Sequence, residues 1–281
     1  MIKELLNQVI PGSNERPIVY DVIMPNKETV SPVILFCHGY KGFKDWGAWH
    51  LMATTFAKAG VACVKFNYSH NGGTLNQPID FPDLEAFGSN NYSYEIHETK
   101  LMIDWISSTH LPLDKSNIFL MGHSRAGGIT TIVTASDERV KGLITLAGVT
   151  NYERRFPQGE DLIAWKEKGV MYVENGRTKQ QMPLYYQFYE DFIANRDSLD
   201  ILRAASSVHV PFLIIHGDDD NAVNVEEAYD LKEAAANAQL LIIREANHVF
   251  GAYHPYDKNQ FPEAMQTVVQ CSLNFIQDVF S

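Results

Sequence analysis

The residues best suited to chemistry in this chain lie in Leu120-Met121-Gly122-His123-Ser124-Arg125-Ala126-Gly127-Gly128, where an apolar run gives way to a helix-forming one. A serine at such a strand-to-helix turn is held in a strained conformation with its hydroxyl lifted clear of the backbone. Small residues are needed two positions before and after it, because the flanking backbones come very close. Gly122 and Ala126 meet that need, the second with a methyl group in place of the usual glycine, and Gly127 can share its role. The helix that starts at Arg125 turns free N–H groups toward developing negative charge. A serine hydroxyl is a weak nucleophile at neutral pH. It needs a base within hydrogen-bond reach and a carboxylate to orient that base. Of the ten histidines, His248 follows the apolar run Leu240-Leu241-Ile242-Ile243 in a short loop. The previous apolar run, Phe212-Leu213-Ile214-Ile215, leads into His216-Gly217-Asp218-Asp219-Asp220 and so ends in three aspartates. The chemistry expected is attack by Ser124 on a carbonyl, with His248 as base and one of these aspartates behind it.

Groups so far apart in the chain must be gathered by a sheet. Short apolar runs alternate with helix-period segments. Strands are expected over 18–24, 32–37, 61–66, 117–121, 142–146, 212–215 and 240–244. Helices are expected over 46–59, 94–106, 125–135, 226–236 and 262–279. Strands apolar throughout imply a sheet covered on both faces, and alternation with helices makes it mostly parallel. The run at 18–24, before Pro25, fits an antiparallel leading strand. The fold class is α/β, doubly wound. From about 150 to 208 no single helix accounts for the chain. That stretch holds nine aromatics, among them Trp165, Tyr185, Tyr186 and Tyr189. A structureless loop of that length is unusual, so an inserted cap with its own helices is expected. Its aromatics would serve both as a small core and as apolar walls for an acyl or aryl group, and the stretch 68–91 is expected to form part of the rim.

The sequence resembles an α/β-hydrolase, near the dienelactone-hydrolase-like and feruloyl (cinnamoyl) esterase branch. The resemblance covers nearly the whole chain. It rests on His38-Gly39-Tyr40, on Gly122-His123-Ser124-Arg125-Ala126-Gly127-Gly128, on His216-Gly217-x-x-Asp220-x-x-Val223, and on Asn247-His248. The order serine, aspartate, histidine is the order of that fold. The resemblance selects Asp220 as the acid, three residues after the His-Gly pair, with Asp219 as the fallback. It implies an oxyanion hole formed by the backbone N–H groups of Tyr40 and Arg125. Dienelactone hydrolases proper use a cysteine nucleophile, so Ser124 turns the implication toward esters rather than lactones. A peptidase or amidase is the nearest rival. Prolyl-oligopeptidase-type enzymes share the domain but usually add a propeller, for which 281 residues leave no room. Thioesterase or acyltransferase chemistry differs only in leaving group or acceptor, and a non-catalytic ligand-binding relative ranks last.

Other residues read more plainly. His123 is expected to be structural, and His38 and His216 to bond nearby backbone. His254, beyond Gly251, is a weak rival to His248. Arg125 is expected to pair with a carboxylate such as Glu85. With 23 Lys plus Arg against 34 Asp plus Glu, the net charge is −11, which disfavours nucleic-acid partners and anionic membranes. No apolar window is long enough to span a bilayer, and the N-terminus lacks a signal-peptide pattern. Cys37, Cys63 and Cys271 form no disulfide framework, which points to the cytoplasm. His97-Glu98 lacks its second zinc-binding histidine, since Leu101 stands there. The Asp218–Val223 run lacks the calcium-loop glycine, and no phosphate-binding loop exists. No cofactor and no metal are implied. The expected partner is a small-molecule ester, and whether the chain forms a homodimer is left open.

Overall fold

Every residue of Ser31–Cys37 is buried, and a strand of that kind requires cover on both of its faces. The computed structural model, which describes residues 1–280, provides that cover. In chain order the elements are β1 (Ile2–Pro11), β2 (Pro17–Pro25), β3 (Ser31–Cys37), α1 (Trp49–Lys58), β4 (Ala62–Asn67), α2 (Leu84–Gly88), α3 (Tyr92–Ser108), β5 (Leu113–His123), α4 (Arg125–Thr134), β6 (Val140–Leu146), α5 (Gly159–Lys168), β7 (Val170–Glu174), β8 (Gln181–Tyr185), α6 (Gln187–Ala194), α7 (Ile201–Ser206), β9 (Phe212–Gly217), α8 (Glu226–Ala234), β10 (Ala238–Ile243) and α9 (Glu263–Phe280). The main sheet has the order β1-β2-β4-β3-β5-β6-β9-β10. Pairing is antiparallel for β1 with β2 and β2 with β4, and parallel for the rest.

Alternate residues of each strand feed two cores, as the period-2 geometry dictates. Val33 and Leu35 point to the side covered by α3, α4 and α8, where Met102, Ile103, Ile129, Val133 and Leu231 are buried. Ile34 and Phe36 point to the side covered by α1 and α9, against Trp49, Phe56, Val268 and Ile276. Helix α9 buries Met265, Val268, Val269, Ser272 and Ile276 along one stripe, so its sequence period sets how it lies on the sheet.

The edge strand β1 was not among the sequence expectations. It pairs with β2 from Ile2↔Pro25 to Pro11↔Pro17 with an irregularity between Leu5 and Gln8, and most of its residues are solvent-facing. A strand with one open face and a break in register carries neither an apolar run nor clean alternation.

An ionic quartet, buried but for the partly exposed Asp45, fixes the chain leaving β3. Lys44 Nζ donates to Asp21 at 2.8 Å and to Asp45 at 2.5 Å, and Lys65 bonds both carboxylates. Asp21 lies on β2 and Lys65 on β4, so two strands hold the segment between β3 and α1 from beneath.

Between β6 and β9 the chain leaves the sheet. This insertion contains α5, the antiparallel hairpin β7–β8, α6 and α7. Gly169, in the left-handed region at φ 72°, ends α5 and turns the chain into the hairpin. Helix α6 sits on the start of α3, where Asp191 accepts from the Ser93 N–H at 3.2 Å. Helix α7 packs on α4 and α8 and so belongs to the helical layer over the main sheet.

Candidate active site

The turn between β5 and α4 places Ser124 at φ 57° and ψ −121°, a conformation that a residue with a side chain adopts only at a cost. Its neighbours over-determine it. The Ser124 N–H donates to the Leu146 carbonyl at 2.8 Å, and its own carbonyl accepts from Gly127 at 2.9 Å and Val149 at 3.2 Å. A side chain at Gly122 would collide with the Ala126 carbonyl and the Thr130 hydroxyl. A methyl group at Gly127 would lie 2.6 Å from Gly148 Cα, so the closeness that the second small position must permit is spread over Ala126 and Gly127. Gly39, in the segment after β3, lies where a methyl group would sit 2.9 Å from Ser124 Cβ. The backbone bearing Tyr40 therefore runs directly against the serine. The Arg125 N–H belongs to the first turn of α4, whose donors have no acceptor within the helix.

His248 stands in the loop after β10, and its Nδ1–H donates to Asp220 Oδ2 at 2.7 Å. In the neutral imidazole, that bond places the proton on Nδ1 and leaves Nε2 free to accept one. Asp220 follows β9 and its side chain is fully buried. Burial alone would raise its pKa. Hydrogen bonds from His216 and His248, the His248 charge and the Val223 N–H outweigh burial and hold the carboxyl well below the usual range. Asp220 Oδ1 also accepts from Ala222 at 2.8 Å and Val223 at 2.9 Å. Asp218 and Asp219 are exposed and lie outside this network.

The remaining histidines are held in supporting contacts. His123 Nε2 donates to the His248 carbonyl at 2.9 Å, and burial followed by the His248 charge lowers its pKa to about 3. His38 donates from Nδ1 to the Gly39 carbonyl at 2.9 Å and accepts from the Tyr68 N–H at 3.4 Å through Nε2. His216 Nε2 donates to the Val223 carbonyl at 2.9 Å. His254 accepts from the Gly47 N–H at 3.0 Å and lines neither cavity at Ser124.

Two cavities meet at Ser124 and His248. The larger, about 460 Å³, is walled by Tyr40 and Tyr92 and, from the insertion, by Tyr152, Phe156, Trp165 and Phe188. The smaller, about 150 Å³, lies toward Trp46, Trp49 and Gly42. Trp165 is anchored by donation from Nε1 to the Leu184 carbonyl at 2.8 Å, which ties α5 to the hairpin. Tyr185, Tyr186 and Tyr189 stand among the insertion aromatics expected to serve as core or wall. None of them lines either cavity. Tyr185 donates to Glu85 at 2.5 Å, while Tyr186 and Tyr189 pack around Trp165. The stretch 68–91 does not reach the cavity walls either; Phe87 backs the Tyr40 ring at 5.6 Å and Gly88 lies under Tyr185.

Arg125 pairs with Glu95 at 3.2 Å, not with Glu85. Glu95 comes from α3, one turn beyond Tyr92, which the amphipathic period of that helix directs inward. Burial raises the Glu95 pKa and Arg125 opposes it. The guanidinium also stacks on Tyr40 at 4.2 Å, Phe188 at 5.1 Å and Tyr92 at 5.3 Å. It is thus the contact shared by the segment after β3, α3, α4 and the insertion. The one group of potential metal ligands found among the described residues is Asp21, Asp45 and His50, and the two carboxylates there are already engaged by Lys44 and Lys65.

A strained serine at the carboxyl end of a parallel sheet, with a carboxylate-oriented imidazole in the same cleft, defines the α/β-hydrolase class of serine hydrolases. The chain belongs to the prolyl oligopeptidase family, whose sequence pattern matches residues 49–272. No curated protein sequence matches it. Among solved structures, Est1E from Butyrivibrio proteoclasticus is similar at a TM-score of 0.73, with 15% identity over 98% of this chain and 99% of that one. It was also solved with ferulic acid bound. A putative hydrolase from Agrobacterium vitis S4 gives a TM-score of 0.73, with 20% identity over 98% and 99% of the two chains. A putative dienelactone hydrolase from Klebsiella pneumoniae gives 0.63, with 13% identity over 99% of each. At such identities these likenesses concern the fold.

Proposed function

We propose that the protein hydrolyses carboxylic esters through an acyl-enzyme formed on Ser124. The observation that carries this reading is the 2.7 Å bond from His248 Nδ1 to Asp220, with His248 and Ser124 on the wall of one 460 Å³ cavity. His248 Nε2 takes the Ser124 proton as Oγ attacks the ester carbonyl. Asp220 stabilises the resulting imidazolium. The N–H groups of Arg125 and Tyr40 donate to the carbonyl oxygen as it becomes an alkoxide, a contribution of ~3–4 kcal/mol in comparable sites. The imidazolium protonates the departing alcohol. Water, deprotonated by the same nitrogen, then releases the acid and frees Ser124.

The two cavities suit the two halves of an ester, with an aryl or branched acyl group in the larger and a small alcohol in the smaller. In this reading residues 150–208 act as a cap whose aromatic side chains select the acyl group. The three free cysteines support a cytoplasmic location. Peptide or amide cleavage is the second reading, favoured by the family match. A fluorophosphonate probe should label the protein and fail to label Ser124→Ala. A series of p-nitrophenyl and aryl esters, run beside an aminoacyl anilide, then separates the two readings. The ester reading predicts a higher kcat/KM for the esters than for the anilide after correction for leaving-group reactivity. The reverse order would assign the protein to the peptidases.

A further inference from the structure

The chain carries 34 acidic residues against 23 basic ones, yet among the described residues neither cavity at Ser124 is lined by an Asp or a Glu. Three cations stand there instead: Lys41, Arg125 and Arg155. Two are offset from behind the wall, Arg125 by Glu95 and Arg155 by Glu227. Lys41 has no such partner among the described residues. Its Nζ meets the Glu174 carbonyl at 3.3 Å and lies 5.3 Å from the centre of the Tyr40 ring. Glu174 spends its carboxylate on Lys179. Lys41 also holds a left-handed backbone, φ 54°, which a lysine adopts at a cost in free energy. It borders both cavities, directly after the residue whose N–H faces the reacting carbonyl in the reading above.

We propose that Lys41 determines specificity, and that the substrates are esters whose acyl part carries a carboxylate. This inference rests on the ester-hydrolase reading. The acyl ring lies against the aromatic wall of the larger cavity, and its carboxylate reaches the Lys41 ammonium at the mouth. A carboxylate meeting a half-buried, otherwise uncompensated cation gains a charge-assisted hydrogen bond that a neutral isostere lacks. Excluding carboxylates from the walls removes the repulsion that the rest of this acidic surface would impose.

The test compares methyl 4-carboxybenzoate with methyl 4-methylbenzoate, which share a leaving group and a ring. The expected kcat/KM ratio favours the carboxylate by about tenfold. Raising NaCl should shrink the ratio by screening, with no variant needed. Lys41→Gln should bring it close to one and Lys41→Arg should retain it. A ratio at or below one, a ratio indifferent to both salt and Lys41→Gln, or a probe-labelled protein that cleaves neither ester would each overturn this inference alone. Failure of the fluorophosphonate to label Ser124 would overturn the hydrolase reading, and the substrate assignment with it.

Discussion

The turn around Ser124 and the insertion between β6 and β9 meet at the same cavity but are built in opposite ways. The turn is backbone against backbone: Gly122 under Ala126, Gly127 on Gly148, Gly39 on Ser124. The insertion meets the cavity with large rings: Phe156 on the loop before α5, Trp165 on α5 and Phe188 on α6. Backbone contacts leave no room for variation and hold atoms to within a fraction of an ångström. Ring contacts tolerate exchange of one apolar shape for another. In the reading proposed above, reactivity belongs to the first region and selection by acyl shape to the second, while Lys41, beside the turn, adds selection by charge.

This division can be broken or sharpened by substitution. Ser124→Ala should lower kcat by on the order of 10⁶, measured on an ester hydrolysed well by the parent. Asp220→Asn should cost ~10⁴ in kcat, because the amide favours the wrong imidazole tautomer. A loss for either below that for Trp165→Ala would reverse the division. Trp165→Ala should lower kcat/KM for an aryl ester by more than tenfold while sparing an acetate ester, since it removes a wall and leaves the turn untouched. A parallel loss on both esters would show that the insertion also positions the reacting groups. Gly122→Ala should destabilise the fold by ~1–3 kcal/mol, read as a fall in the urea midpoint, because its methyl group has no space.

The smallest effect expected is on acid stability. The Asp220 carboxyl is held below its ordinary range in the folded protein, so the ionised form is the one that folding favours. Its contribution is complete above the ordinary carboxylate pKa of about 4 and is lost as the pH falls through the folded value. Fluorescence-monitored unfolding across this window should show a steeper loss for the parent than for Asp220→Asn. Equal slopes would mean that the carboxylate is not stabilised by its hydrogen-bond donors.

Much of the frame was legible because strands buried on both faces are apolar throughout. The runs around Phe36, Leu120 and Ile214 mark themselves, and the residues that follow them end up at one end of the sheet. The convergence of Ser124, Asp220 and His248 in one cleft follows from that topology. The strand β1 was hidden because polar Lys3, Glu4, Asn7 and Gln8 and apolar Leu6 and Val9 are exposed alike, and its register breaks, so no apolar alternation marks it. The partner of Arg125 was missed because Glu85 and Glu95 are both near in sequence to the wall, and only the face of α3 distinguishes them. Which insertion aromatics line the cavity depended on the hairpin β7–β8, whose strands of five residues carry little periodic signal. The Trp165 bond to the Leu184 carbonyl ties one of those rings to the hairpin, and no sequence pattern announces such a bond.

The quartet of Asp21, Lys44, Asp45 and Lys65 also constrains how this sequence can change over time. Replacing the whole set by well-fitting apolar residues can be neutral for a buried ionic group, whereas losing one member strands a charge at ~3–5 kcal/mol. The segment that carries Tyr40 is therefore guarded by an evolutionary valley. A single substitution leaves a charge stranded, and relief requires coordinated changes on β2, β4 and the segment between β3 and α1.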